Sequence, residues 1–305
     1  MDHVLSRRTL TFLAVTFGYS WSLALGVHLN GGFGALGGYL QGFLLLYMVG
    51  PALGALVGVT LYDKESRRRA LGFGSPRWRY FAWAWIAPLL IVAAALFITL
   101  AVPGYTLSDP VASQIDIVKG LPESTMSDAD KEQALIRLGT PGLAWVLGLS
   151  AVVLGPAVNA IVSLSEELGW RGCLWYVFAG TGFWTASFMI GLIWGVWHMP
   201  IIWLGHNYPS APVAGSIAFV GLCVLLSPFY SWIRARSGSV WGASLAHGTF
   251  NAVAGYGLLC QTPMDMPWSG VLGIGGFMAA ALSALVILWV WQRAQTSGAY
   301  RSSEW

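Results

Sequence analysis

The sequence predicts an all-α integral membrane protein of about eight transmembrane helices, one polytopic domain over residues 1–305. Three observations predict it. Residues of the set AVILMFWYC make up 56% of the chain and charged residues only 10%, against roughly 25% charged in an average soluble protein. The mean hydropathy is +0.64. Apolar stretches of about 20 residues, the length a helix needs to cross a bilayer core, recur along the whole chain. This composition excludes a disordered chain and a soluble nucleic-acid-binding domain. With a net charge of only +3, no nucleic-acid partner is expected, and the lipid bilayer is the expected surrounding.

The eight spans are read at 9–29, 40–62, 81–102, 142–165, 184–204, 213–233, 239–260 and 270–292. The first follows Ser6-Arg7-Arg8-Thr9-Leu10, a basic flank with no small-x-small cleavage site behind it, so it is expected to stay in the mature chain. The second carries Gly50, Gly54 and Gly58, a small-residue ridge suited to close helix packing. Polar residues interrupt the fourth and fifth spans, and residues 174–183 read as a short re-entrant or in-plane piece. The stretch 103–141 is the one long hydrophilic loop, acidic through Asp109, Asp116, Glu123, Asp128, Asp130 and Glu132. Within it a surface helix is expected from Ser127 to Leu138, capped by Ser127 or Asp128.

Cations set the expected orientation. With the N-terminus inside, alternation places Arg7, Arg8, Lys64, Arg67, Arg68, Arg69, Arg77, Arg79, Arg171, Arg234, Arg236, Arg293 and Arg301 in the cytoplasm. Only Lys119, Lys131 and Arg137 fall outside. This asymmetry is the one expected of a correct span count. It puts both termini in the cytoplasm, in what reads as a prokaryotic plasma membrane. Trp78, Trp145, Trp170, Trp203, Trp232, Trp268 and Trp291 fall near span ends, where amphipathic rings prefer to sit. Cys173, Cys223 and Cys260 are odd in number and form no C-x-x-C pair, so they read as small buried hydrophobes. His3, His28 and His206 are assigned no role.

Ionisable residues at membrane depth are costly and need an account. They cluster in the C-terminal half, about 140–260. Glu166 and Glu167 end the fourth span. Glu167 and Arg171 are four apart and can pair on one helical face, which leaves Glu166 free, about 100° round the helix. The plain structural alternative is a Glu–Arg staple at a helix end. Trp194 and His198 share a face of the fifth span, with Pro200 expected to disturb the helix just beyond. A satisfied core histidine is the alternative. His247 and Asn251 lie one turn apart on the seventh span, slimmed by Gly242, Gly248 and Gly255. Inter-helix hydrogen bonding is the alternative there. If the groups converge, they suit hydrolysis: Glu166 takes a proton from water, His198 holds that water, and His247 and Asn251 donate to the oxyanion of a tetrahedral intermediate. No serine pairs with a Lys or His as a nucleophile, no two Asp lie within the membrane, and no H-E-x-x-H signature is present.

Glu-Glu-x-x-x-Arg at 166–171, aromatic-x-x-x-His at 194–198 and His-x-x-x-Asn at 247–251, in that order on three spans, resemble the CPBP family. That family comprises type II CAAX prenyl endopeptidases and bacteriocin-processing relatives, and is also called the Abi family. The resemblance covers residues 140–260 and departs from the pattern at Trp194, where the family usually has Phe. It implies an intramembrane endopeptidase with Glu166, His198, His247 and Asn251 catalytic and with Glu167, Arg171 and Trp194 supporting. It implies a membrane-associated peptide substrate, prenylated in the eukaryotic members. No cofactor is expected; the alternative is a zinc ion held by Glu166, His198 and His247, with an open fourth position. Two other function classes stay open at this stage: a non-catalytic immunity or scaffold protein of the same fold, and an ion-coupled transporter using the same polar groups as a relay.

Overall fold

The computed structural model describes residues 6–120, 126–263 and 270–296; His3, Glu123, Trp268 and Arg301 lie outside them. The described residues form a bundle of membrane-length helices with no sheet among them beyond one two-residue pairing. Helix α1 (Arg7–Leu29) is capped by Ser6, whose hydroxyl accepts from the Thr9 amide. A 3₁₀ stretch, α2 (Leu40–Met48) and α3 (Gly50–Tyr62) form the second span. Gly50 and Gly54 of that span press on α1 so closely that a Cβ would strike Ser20 and Thr16, whereas Gly58 meets Cys173 at ordinary contact distance. The expected ridge therefore works through two of its three glycines.

The short α4 (Arg67–Ala70) leads to α5 (Arg79–Leu100). The hydrophilic loop then folds into α6 (Pro110–Gly120) and α7 (Asp128–Leu138). Ser127 caps α7 by accepting from the Asp130 amide at 3.2 Å, as its hydroxyl before an acidic first turn suggests. The next element is longer than expected. The helices α8 (Leu143–Leu149), α9 (Gly155–Glu167) and α10 (Trp175–Phe178) join through wide π-type turns at Ser150–Leu154 and Leu168–Leu174 into one run, Leu143–Thr181. The expected separate piece at 174–183 is thus the tail of that helix. It stops where Gly182 takes a positive φ of 85°, a conformation glycine reaches without strain.

Helix α11 (Phe183–Trp203) runs through Pro200 without ending. Helix α12 (Pro212–Ser237) follows, and Gly238 at φ 73° turns the chain into α13 (Val240–Leu259), whose N-cap is Ser239. Helix α14 (Ile274–Thr296) completes the described chain. Among the described residues, seven helices are long and apolar enough to cross a membrane. The eighth expected span, 239–260, exists as the 20-residue α13 but is not among the seven. Ser244, His247, Thr249 and Asn251 make it too polar to pass on composition, and it is sheltered by packing against α9 and α5. The reason is close approach: a Cβ on Gly248 would strike the backbone of Asn159 and Ala160.

The two ends of the bundle differ. At one end Arg8 pairs with Asp63, the Arg77 amide donates to Ser237, and the Val240 amide donates to Gly72. Arg234 Nε donates to the Arg171 carbonyl there. The loops carrying most cations therefore meet at that end. At the other end β1 (Thr106–Leu107) pairs with β2 (Gln261–Thr262), and the Tyr208 hydroxyl donates to Leu272. The tryptophans split as well. Trp78, Trp145 and Trp203 are exposed, but Trp170 and Trp291 are buried. Trp170 is not an interfacial anchor at all; it belongs to the interior described next. Cys173 and Cys223 are buried, Cys260 partly so, and all three are free thiols.

Candidate active site

The three polar motifs converge. Glu166 from α9, Trp194 and His198 from α11, and His247 and Asn251 from α13 all line one cavity of about 600 Å³. Glu167 and Arg171 stand behind that wall, both fully buried. Two adjacent carboxylates on one helix therefore face different partners, as the 100° step between neighbours requires.

Glu166 is held by two indoles. Trp194 Nε1 donates to its Oε2 at 2.8 Å and Trp170 Nε1 at 3.2 Å. Trp170 sits one turn beyond Glu166, inside the wide turn Leu168–Leu174. Such π-type turns often mark functional sites; here the wide turn carries both Trp170 and Arg171.

Glu167 makes the second network. Its Oε1 accepts from Arg171 Nη1 at 3.1 Å and from His247 Nδ1 at 2.8 Å. Arg171 is held in turn by the Ser227 hydroxyl at 3.1 Å, and its guanidinium lies over the rings of Trp194 and Tyr230, 5.1 and 5.0 Å from their centroids. The guanidinium is thus compensated by one carboxylate, one hydroxyl and two aromatic faces, while its Nε and Glu167 Oε2 have no hydrogen-bond partner among the described residues. The sequence reading pairs Glu167 with Arg171 correctly but misses the bond that matters for chemistry, from His247 to Glu167. The two residues are 80 apart, and no local signal joins them.

Tautomers follow from partners. His198 Nδ1 lies 2.8 Å from the Trp194 carbonyl. A carbonyl only accepts, so Nδ1 carries the proton and Nε2 presents a lone pair in the neutral ring. His247 Nδ1 likewise donates to Glu167. Pro200 leaves α11 intact, but the Trp197 carbonyl nearby accepts from the Tyr47 hydroxyl at 2.6 Å and from Trp21 Nε1 at 3.2 Å. These bonds tie α1 and α2 to the helix that carries His198.

The zinc alternative needs Glu166, His198 and His247 to close on one point. Among the described residues no group of three or more His, Cys, Asp or Glu is placed to hold a metal ion. Trp194 packs edge-on to both imidazoles, 5.8 Å from His198 and 5.2 Å from His247 by ring centroids. Glu166 is already engaged by the two indoles. In this arrangement Glu166, His198 and His247 are not gathered on one point.

Residues 134–253 match the family described as type II CAAX prenyl endopeptidase, Rce1-like. That stretch, about two fifths of the chain, is similar to the CAAX protease family. The matched region holds all three motifs and every candidate site residue. No curated protein matches the chain. The matched stretch supplies the cavity residues of α9, α11 and α12 and the first of those on α13; α2, the rest of α13, and Val271 and Leu272 supply the others.

Several cavity residues escaped the sequence reading. Gln41 and Tyr47 come from α2, Asn159 from α9, and His206 and Asn207 from the turn after α11. His206 was assigned no role, yet it lines the cavity, where burial pushes its imidazole down to about 4. Asn207 takes a positive φ of 61°, which asparagine tolerates better than most residues. Nothing local distinguishes these polar residues from ordinary loop or helix-end residues; only the packing of α2 against α9 and α11 selects them.

Proposed function

We propose that this CAAX-protease-like membrane endopeptidase hydrolyses a peptide bond with a water activated by Glu166, without a metal. The observation that supports this reading is the division of labour between the two glutamates. Both indoles address Glu166 Oε2, so Oε1 serves the water. Glu166 takes a proton as the water attacks the carbonyl carbon. His198 Nε2 accepts the water's other hydrogen and fixes its direction. Asn251 donates its amide hydrogen to the developing oxyanion.

His247 acts through its second nitrogen. With Nδ1–H committed to Glu167, Nε2 donates only in the imidazolium form. This reading assigns the ring that form at the moment of reaction. The imidazolium then faces the oxyanion, and Glu166 delivers its proton to the leaving amine. Glu167, Arg171, Ser227 and Tyr230 hold this arrangement in place.

The substrate in this reading is a membrane-associated polypeptide; a lipid on it is not required by any group in the cavity. The test compares new protein N-termini in membranes of cells making the wild type and cells making Glu166→Ala, at matched folded levels. Termini present only with the wild type are expected. Equal sets, with good coverage of membrane proteins, would reject the protease reading in favour of a scaffold of the same fold.

A further inference from the structure

The cavity is lopsided along the bundle. On α12 its lining ends at Leu226, well before the helix ends at Ser237. On α13 it begins at His247, seven residues after Val240, about 10 Å of helix. On the second span it uses α2 and no residue of α3. All three limits exclude the end where the cationic loops meet. That end is closed by Trp170, Glu167 and Arg171, each fully buried. At the opposite end the cavity is bounded by His206, Asn207 and Leu272, beside the Tyr208–Leu272 bond. Its exposed rim is formed by Gln41 and Leu45 on α2 and by Asn251 and Gly255 on α13. The lining contains no Lys and no Arg; its polar groups other than Glu166 are amides, a tyrosine, imidazoles, two indoles and a thiol.

We infer that the enzyme takes an uncharged stretch of polypeptide presented at the membrane face opposite the arginine-rich loops, admitted between α2 and α13. This rests on the protease reading of the site. With the arginine-rich loops cytoplasmic by their charge, that face is the external one. A lysine or arginine would be needed to neutralise a substrate carboxylate at membrane depth; the lining has neither, and His247 is committed to Glu167 and the oxyanion. The substrate therefore runs through the site as a chain interior, and it reaches the enzyme after export or as the outer half of a membrane segment.

The test places single cysteines at the two ends in a chain carrying C260S, with C260S alone as blank. Gln41→Cys marks the rim and Arg68→Cys marks the cationic end. A membrane-impermeant maleimide is applied to intact bacterial cells and to inverted vesicles. The expected result is labelling of Cys at 41 in intact cells and of Cys at 68 only in inverted vesicles. Labelling of position 41 only in inverted vesicles, from neither face, or labelling of position 68 from outside, would overturn the inference. The Glu166-dependent termini give the second arm. They are expected in chain interiors on the external side. Glu166-dependent termini confined to cytoplasmic segments, or set a few residues from chain ends, would overturn the inference and keep the protease reading. Absence of such termini would sink the protease reading instead, while the labelling still reports which face the cavity opens to.

Discussion

One indole nitrogen decides how Glu166 is held. The family pattern has Phe where this chain has Trp194, and a phenyl ring has no donor for the carboxylate. Here the donor sits 2.8 Å from Oε2. Hydrogen bonds to charged groups contribute about 1.5–3 kcal/mol, so Trp194→Phe is expected to lower kcat roughly tenfold or more with the fold retained. Purified variant and wild type, compared on one cleavable peptide, give the measurement; equal kcat would mean that Trp170 alone positions the carboxylate. Glu166→Gln keeps the shape but cannot take a proton. It is expected to cost roughly 10²-fold or more in kcat, the usual scale of general base catalysis. Full activity in that variant would reject the mechanism. Glu167→Gln tests a different point. It keeps an acceptor for His247 but removes the charge that balances an imidazolium, so kcat should fall while KM changes little.

At the scale of elements, the site depends on how closely α13 approaches α9. Gly248 has no room for a methyl group, because a Cβ would strike the backbone of Asn159 and Ala160. Gly255, two turns on, has nothing within 4 Å of its Cβ position. The pair makes a controlled comparison. Gly248→Ala is expected to destabilise by roughly 1–3 kcal/mol, the range for overpacked interiors, and to lower the thermal unfolding midpoint in detergent. Gly255→Ala should leave it unchanged. The polarity of α13 has the same origin. A helix that carries His247 to membrane depth is tolerable only if neighbours cover it; α9 and α5 pack on α13 and leave Asn251 exposed at the cavity rim. The wide turn Leu168–Leu174 is the second such device. It swings Trp170 and Arg171 inward one turn after the glutamates, where the sequence reading saw only a helix end and an interfacial tryptophan.

At the scale of the whole molecule, charge and cavity point to opposite ends. The loops at 63–78 and 234–240 gather at one end, as the Arg8–Asp63 pair and the Arg77–Ser237 and Val240–Gly72 bonds show. The cation asymmetry predicts that a reporter fused after residue 305 stays cytoplasmic: a fluorescent protein there should mature, and an export-dependent phosphatase should be inactive. The reverse pattern would overturn the orientation and, with it, the external side of the cavity. The donor set makes a further prediction. Treatment of the purified enzyme with a zinc chelator should leave peptide cleavage intact. Loss of cleavage, restored by added zinc, would reject the metal-free mechanism.

Fold class was legible in the sequence because crossing a bilayer constrains every twenty-residue stretch by itself: backbone groups must bond internally and side chains must be apolar. The pairing of Glu167 with Arg171, and the separation of Glu166 from it, were legible for a similar reason. Both are consequences of helical geometry over four residues. The three motifs announced a hydrolytic set through their order and residue types. What sequence could not determine is every relation between distant helices. That His247 bonds Glu167, that Trp170 and Trp194 meet on one oxygen of Glu166, and that Gln41 and His206 border the same cavity are all facts of packing. So is the end at which the cavity opens. Residues 80 or more apart carry no mutual signal along the chain; they are brought together by glycines thin enough to let helices touch. The sequence by itself determined which polar residues the chain carries to membrane depth, and the tertiary structure decided which of them share one cavity.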